Sequence, residues 1–134
     1  MISKLRNNLY ISAARDVDQF AVESRGITAI LNVSTRTANA SVSNVQLIKL
    51  GFRDNALDAK LNGQPAIDKL KELLQAGNTV LIHCRQGKSR SPHVAAAALS
   101  DIEGKDYLEV YENIRELHPQ TLWYSIGEEI TDKY

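Results

Sequence analysis

Apolar positions along the chain recur with two alternating periods, one suited to strands and one to helices. Leu9 to Ser12 forms a short strand-like run, and Ala13 to Ser24 carries helix-forming residues up to Arg25-Gly26, where glycine can end a helix in a left-handed conformation. Ile27 to Val33 reads as a strand apolar enough to be covered on both faces. The polar stretch Ser34 to Ser43, rich in Ser, Thr and Asn, predicts a loop, and Val45 to Leu50 predicts the next strand. From Gly51 to Gly63 the apolar pattern lapses. It resumes over Gln64 to Gln75, where Ile67, Leu70, Leu73 and Leu74 share one helical face ahead of Ala76-Gly77.

That helix leads into Thr79-Val80-Leu81-Ile82, a buried-strand pattern, and then into the decapeptide His83 to Pro92. The Ala-rich stretch His93 to Ser100 predicts a helix. Ser91 and Pro92 suit its N-cap and first position, because serine can bond free amides and proline lacks one. The decapeptide is therefore a strand-to-helix turn. A helix over Asp106 to Leu117 and a weaker one over Trp123 to Ile130 complete the pattern. Strands alternating with helices predict an α/β sandwich in which helices cover both faces of a mostly parallel central sheet.

Composition narrows the reading. The 134 residues, 43% hydrophobic and 24% charged, fit one globular domain spanning 1–134. Lys plus Arg and Asp plus Glu are each 16, so bulk charge gives no support to a nucleic-acid partner. The first ten residues lack the apolar core of a secretory signal, and no apolar run approaches about 18 residues, which predicts a cytoplasmic protein with no membrane association. The single cysteine cannot form a disulfide within the chain, and with no ligand-pair spacing around His83, His93 or His118 it makes a poor zinc signature. No metal or cofactor is expected.

A loop at the carboxyl end of a buried strand, opening a helix, presents free backbone amides and the positive end of a helix dipole, which together favour an oxyanion such as phosphate. This loop holds Cys84. Taken alone, a cysteine after an apolar strand is most often an inert core residue. Here the helix dipole and Arg90, six residues on, favour its thiolate, and the arginine's planar fork can bind two phosphoryl oxygens. Cys84, Gly87, Arg90 and Ser91 in one turn at the correct end of a strand point to nucleophilic chemistry on phosphate.

His83-Cys84-Arg85-Gln86-Gly87-Lys88-Ser89-Arg90-Ser91 matches the H-C-x5-R-[ST] signature of cysteine-dependent protein phosphatases and most resembles the compact dual-specificity branch. The likeness extends over Leu9-Tyr10-Ile11, Ile27 to Val33, Leu50 to Asn55 and the Ser91-Pro92 helix start, covering the chain from Leu9 to about Pro119. It implies that Cys84 attacks phosphorus to form a phosphocysteine, while Arg90 and the amides of Arg85, Gln86, Gly87, Lys88, Ser89 and Arg90 hold the equatorial oxygens. Ser91 then stabilises the departing thiolate, and His83 orders the loop from behind unless it is simply a core histidine. The resemblance places the general acid some 30 residues before the cysteine: Asp54 sits at that distance, and Asp58, at 26, is the alternative.

The implied substrate is a phosphorylated protein bearing phosphotyrosine, phosphoserine or phosphothreonine, in a pocket shallower than that of the classical tyrosine-specific enzymes, with the chain acting as a monomer. Arg85 and Lys88 at the rim favour acidic or doubly phosphorylated substrates, or are merely solvated, and Arg36 and Arg53 are further candidates for contact with a phosphopeptide. Alternatives are a phosphoinositide or RNA 5′-phosphate substrate, a phosphate-binding module without turnover, and a rhodanese-like sulfur transferase, against which Asp54 and Ser91 argue. One departure stands out. Branch members often carry Arg-Pro and then an asparagine that buttresses the phosphate loop, whereas here His118-Pro119 precedes Trp123 to Gly127 with no obvious asparagine.

Overall fold

A computed structural model describes residues 1–121. A five-stranded sheet runs in the order β1-β2-β5-β3-β4, built from β1 (Ser3–Arg6), β2 (Leu9–Ala13), β3 (Ala29–Asn32), β4 (Gln46–Lys49) and β5 (Val80–Cys84). Among the described strands only β1 is antiparallel to its neighbour; the other pairings are parallel. The helices are α1 (Gln19–Ser24), α2 (Ala56–Asn62), α3 (Gln64–Gln75), α4 (Arg90–Glu103) and α5 (Tyr107–Leu117). No helix among the described residues is long and apolar enough to cross a membrane.

β5 is central because it is apolar on both faces. Val80, Ile82 and Cys84 join the larger core cluster under α3, α4 and α5, whereas Leu81 packs with Val22, Ile27 and Ile30 beneath α1. The register sets Ala13 of β2 opposite Cys84, and Asn32 of β3 opposite His83. Three strands thus end side by side, with their carboxyl ends opening onto one crevice, the usual ligand-binding position in open α/β sheets.

The helical face follows from periodicity. Ala66, Ile67, Leu70, Leu73 and Leu74 are the buried stripe of α3, within the predicted boundaries of Gln64 to Gln75. Between α3 and α5 lies α4, whose residues Ala95 to Ala98 are all fully buried, so small side chains let this helix sit close to both neighbours and to the sheet. On the opposite face, α1 is only six residues long and is N-capped by Asp18, which accepts from the Ala21 amide at 2.8 Å.

The sequence-based boundaries differ from the structure in four places. Helix α4 begins at Arg90 with Ser89 at its N-cap, so Ser91 and Pro92 lie inside the first turn rather than at its cap and first position. The helical run expected from Ala13 is confined to Gln19–Ser24 after a short 3-10 turn at Ala14–Asp16. The patternless stretch after Gly51 contains α2, in which Leu57 and Leu61 are 65% and 68% exposed and Ala59 is buried, so its large apolar residues mark no buried face. Strand β1 was also absent from the pattern, being four residues at a sheet edge. The expected helix from Trp123 to Ile130 lies outside the described residues.

Leu70 is completely buried where α3 meets the larger core cluster. Leu70→Ala is expected to lower unfolding free energy by about 2–5 kcal/mol, measured by urea denaturation with an unchanged m-value.

Candidate active site

The chain leaves β5 at Cys84, turns through residues 85–89 and enters α4 at Arg90. Gly87 takes a φ of +69°, and a Cβ there would lie 2.8 Å from the carbonyl carbon and oxygen of Ser12. Only glycine satisfies both the left-handed backbone and this close approach to β2. The Ala14 amide donates to the Arg85 carbonyl at 3.2 Å, fastening the start of the loop to the end of the same strand.

Inside the turn, Cys84 is 2% exposed and its Sγ lies 3.3 Å from Ser91 Oγ. Because α4 starts two residues earlier than expected, Ser91 stands in the first helical turn, with its hydroxyl beside the sulfur. Arg90 is 9% exposed; one terminal nitrogen donates to the Phe52 carbonyl at 3.3 Å, and its Nε has no hydrogen-bond partner among the described residues. A buried guanidinium with an unspent donor is a strong attractor for an anion.

Asp54 completes the group. Its carboxylate accepts from Ser89 Oγ at 2.6 Å, and together with Cys84, Arg85, Gln86, Lys88, Ser89 and Arg90 it lines a cavity of about 280 Å³. This bond has a second effect: Ser89 makes no side-chain cap on α4. The site therefore combines a thiol, a buried arginine, a carboxylate and an uncapped helix start around one small space, an arrangement suited to binding a tetrahedral oxyanion and attacking it.

Asp58, the alternative carboxylate, is committed elsewhere. It accepts from the Arg53 amide and from Asn62 Nδ2, and lines a separate cavity with Thr35, Lys49 and Pro65. The Arg53 amide foremost, and then Asn62, hold its carboxyl below the ordinary 3.8. An anchored anion at the start of α2 is poorly suited to delivering a proton.

Behind the loop, His83 is buried with Nδ1 3.3 Å from the Cys84 carbonyl and no partner for Nε2 among the described residues. Burial lowers its proton affinity below the ordinary 6.5, partly offset by that carbonyl. Arg36 and Arg53 do not touch the cysteine cavity; they line an adjoining cleft of about 570 Å³ together with Ser34, Thr35, Thr37, Asp54, Arg85 and Arg90. Asn32 shapes that cleft, donating to the Thr37 carbonyl at 2.8 Å and accepting from both the amide and hydroxyl of Ser34.

Support for the loop from the C-terminal side, unaccounted for in the sequence, comes from His118. Its Nε2 lies 2.8 Å from the Gly87 carbonyl and its Nδ1 2.6 Å from Ser3 Oγ. Desolvation is the main cause lowering the proton affinity of this ring below the ordinary 6.5. Neither histidine position nor spacing signalled this contact, because the ring reaches back 31 residues to Gly87 and 115 to Ser3.

Residues 9–123 match the family described as "Dual specificity phosphatase, catalytic domain". Over 91 residues the chain is 34% identical to dual specificity protein phosphatase 5 of Rattus norvegicus, covering 67% of this chain but only 24% of that relative's length. Among solved structures, a mouse putative dual specificity phosphatase complexed with zinc tungstate superposes with a TM-score of 0.88 at 21% identity, covering 99% of this chain and 85% of the other. PTPMT1 in complex with PI(5)P superposes with a TM-score of 0.81 at 14% identity, over 98% and 92% of the two chains.

The buried rings of His83 and His118 give a pH signature. Both hold protons less readily when folded, so below the ordinary 6.5 the unfolded chain binds more protons and stability falls with pH. The melting temperature is expected to be level above pH 7 and to fall by several degrees on going to pH 5.5; a scanning-calorimetry series that stays flat over this range would contradict the burial of neutral rings.

Proposed function

Since the chain belongs to the dual specificity phosphatase family, we propose that it hydrolyses phosphomonoesters of phosphotyrosine, phosphoserine and phosphothreonine in proteins through a phosphocysteine intermediate. The observation that carries this reading is the single cavity gathering Cys84, Arg90 and Asp54. The thiolate of Cys84 attacks phosphorus in line; a sulfur–phosphorus bond forms as the ester oxygen–phosphorus bond breaks. Asp54 gives its proton to the departing oxygen. Arg90 and the loop amides hold the equatorial oxygens, whose charge they stabilise most strongly in the transition state.

In the second step Asp54 takes a proton from water, the water oxygen bonds to phosphorus, and the sulfur leaves as thiolate with release of inorganic phosphate. Ser91, whose oxygen is 3.3 Å from the sulfur, donates a hydrogen bond to that leaving group. His83 orders the loop through the carbonyl of the nucleophile. The exposed Arg85 and Lys88, with Arg36 and Arg53 in the adjoining cleft, favour an acidic sequence around the phosphorylated residue. No step calls for a metal.

A second reading has one observation in its favour. Arg36, Arg53, Arg85 and Arg90 all line the larger cleft, and such a set also suits a polyanionic headgroup like the PI(5)P held by PTPMT1.

Release of p-nitrophenol from p-nitrophenyl phosphate in EDTA, across pH 5 to 8, tests the mechanism. Wild type is expected to turn over and Cys84→Ser to be inactive, while Asp54→Ala loses about 10²–10⁴-fold in kcat together with the basic limb of the pH profile. Turnover by Cys84→Ser, or loss of wild-type activity in EDTA, would refute the chemistry. Comparing kcat/KM on a phosphotyrosine peptide and on a short-chain PI(5)P separates the two readings. The protein reading requires the peptide to win.

A further inference from the structure

His118 is completely buried, yet both of its ring nitrogens are spent on polar groups. The Gly87 carbonyl can only accept, so Nε2 carries the proton and donates to it; the neutral ring then accepts at Nδ1 from the Ser3 hydroxyl. A neutral ring is also what the burial of this site favours. The imidazole is thus a rigid spacer between an edge strand and the apex of the phosphate loop.

Gly87 is the place in that loop where such a spacer matters. A glycine at a φ of +69° populates several backbone regions at little cost, so the peptide that follows it can rotate more easily than its neighbours. In a planar trans peptide the carbonyl and the next amide point in opposite directions. A Gly87 carbonyl held toward His118, behind the loop, therefore turns the Lys88 N–H to the opposite side. Lys88 lines the cysteine cavity, and its amide has no hydrogen-bond acceptor among the described residues.

We propose that His118 is a positioning residue of the active site, holding the Gly87 carbonyl outward so that the Lys88 amide faces the bound oxyanion. Ser3 donates to Nδ1 and so fixes the ring's orientation. Strand β1, otherwise an edge addition to a parallel sheet, thereby gains a part in the chemistry. Its place is secured by Arg6, which pairs with Glu103 of α4 at 2.7 Å and donates to Asn113 of α5 at 2.8 Å. The inference rests on the phosphatase reading, because it requires the cavity to hold a phosphate-like anion.

Titration calorimetry with tungstate, run beside thermal melts, tests it without depending on turnover. His118→Leu keeps most of the volume and removes both hydrogen bonds; it is expected to weaken tungstate binding about ten- to a hundredfold, the usual worth of a hydrogen bond to a charged group. His118→Gln can place an amide donor near the position of Nε2 and is expected to recover most of that loss, although it destabilises the fold as well. A purely structural role would make affinity follow melting temperature across the series instead. Ser3→Ala, which leaves the ring in place, is expected to weaken binding by a smaller factor, and it decides the matter should His118→Leu fail to fold.

Tungstate affinity unchanged in His118→Leu, or unchanged in Ser3→Ala where the leucine variant does not fold, overturns the inference while leaving the phosphatase reading intact. A wild-type chain that binds no tungstate overturns both.

Discussion

The approach of Gly87 to the backbone of Ser12, too close for any Cβ, is the constraint on which the site depends. It presses the apex of the 85–89 loop against the end of β2, while the Ala14 amide holds the Arg85 carbonyl and His118 holds that of Gly87. A five-residue turn is thereby pinned at its start and its apex by elements far apart in sequence. Its backbone groups are held in advance of any ligand, so binding an oxyanion does not have to carry the full entropy of ordering a loop.

Several groups at the site are arranged against stability. Ser89 gives its hydroxyl to Asp54 and leaves α4 without a side-chain cap, an omission that ordinarily costs about 1 kcal/mol. Arg90 buries an Nε with no partner among the described residues, and His83 does the same with Nε2. Such groups ordinarily cost about 1–3 kcal/mol each when left unsatisfied. The surrounding core bears that cost: the sheet together with α3, α4 and α5 gathers most of the buried apolar side chains into one continuous cluster. At Arg90 and the start of α4, a bound anion would supply what the fold withholds.

One short segment, from Arg53 to Asn62, gives two carboxylates different surroundings. Asn55 caps α2 through the Asp58 amide, and Asp58 closes back on the Arg53 amide and on Asn62. These bonds fix the segment immediately after Asp54, leaving Asp54 itself to meet Ser89 across the cavity. A four-residue difference in position thus separates a helix anchor from a candidate proton donor: Asp58 meets the Arg53 amide and Asn62, whereas Asp54 meets the Ser89 hydroxyl.

Local chemistry was enough to read the buried strand β5, the helix Gln64–Gln75, and the turn that joins Cys84 to Arg90, because burial on two faces, a 3.6-residue stripe and a strand-to-helix phosphate loop each leave a pattern within a dozen residues. Helix α2 and strand β1 left no such pattern: one exposes its leucines and the other is four residues at an edge. The start of α4 was misread by two residues because Ser91, a good cap by composition, is held beside Cys84, while Ser89 at the cap position turns to Asp54. Spacing from Cys84 already favoured Asp54 over Asp58, but the contact of Asp54 with Ser89 and the part taken by His118 belonged to the tertiary structure. The Asp54 bond joins the segment before α2 to the cap of α4, and the His118 bonds join the chain beyond α5 to the 85–89 loop and to β1; no periodicity in the chain records a contact made across 31, 35 or 115 residues.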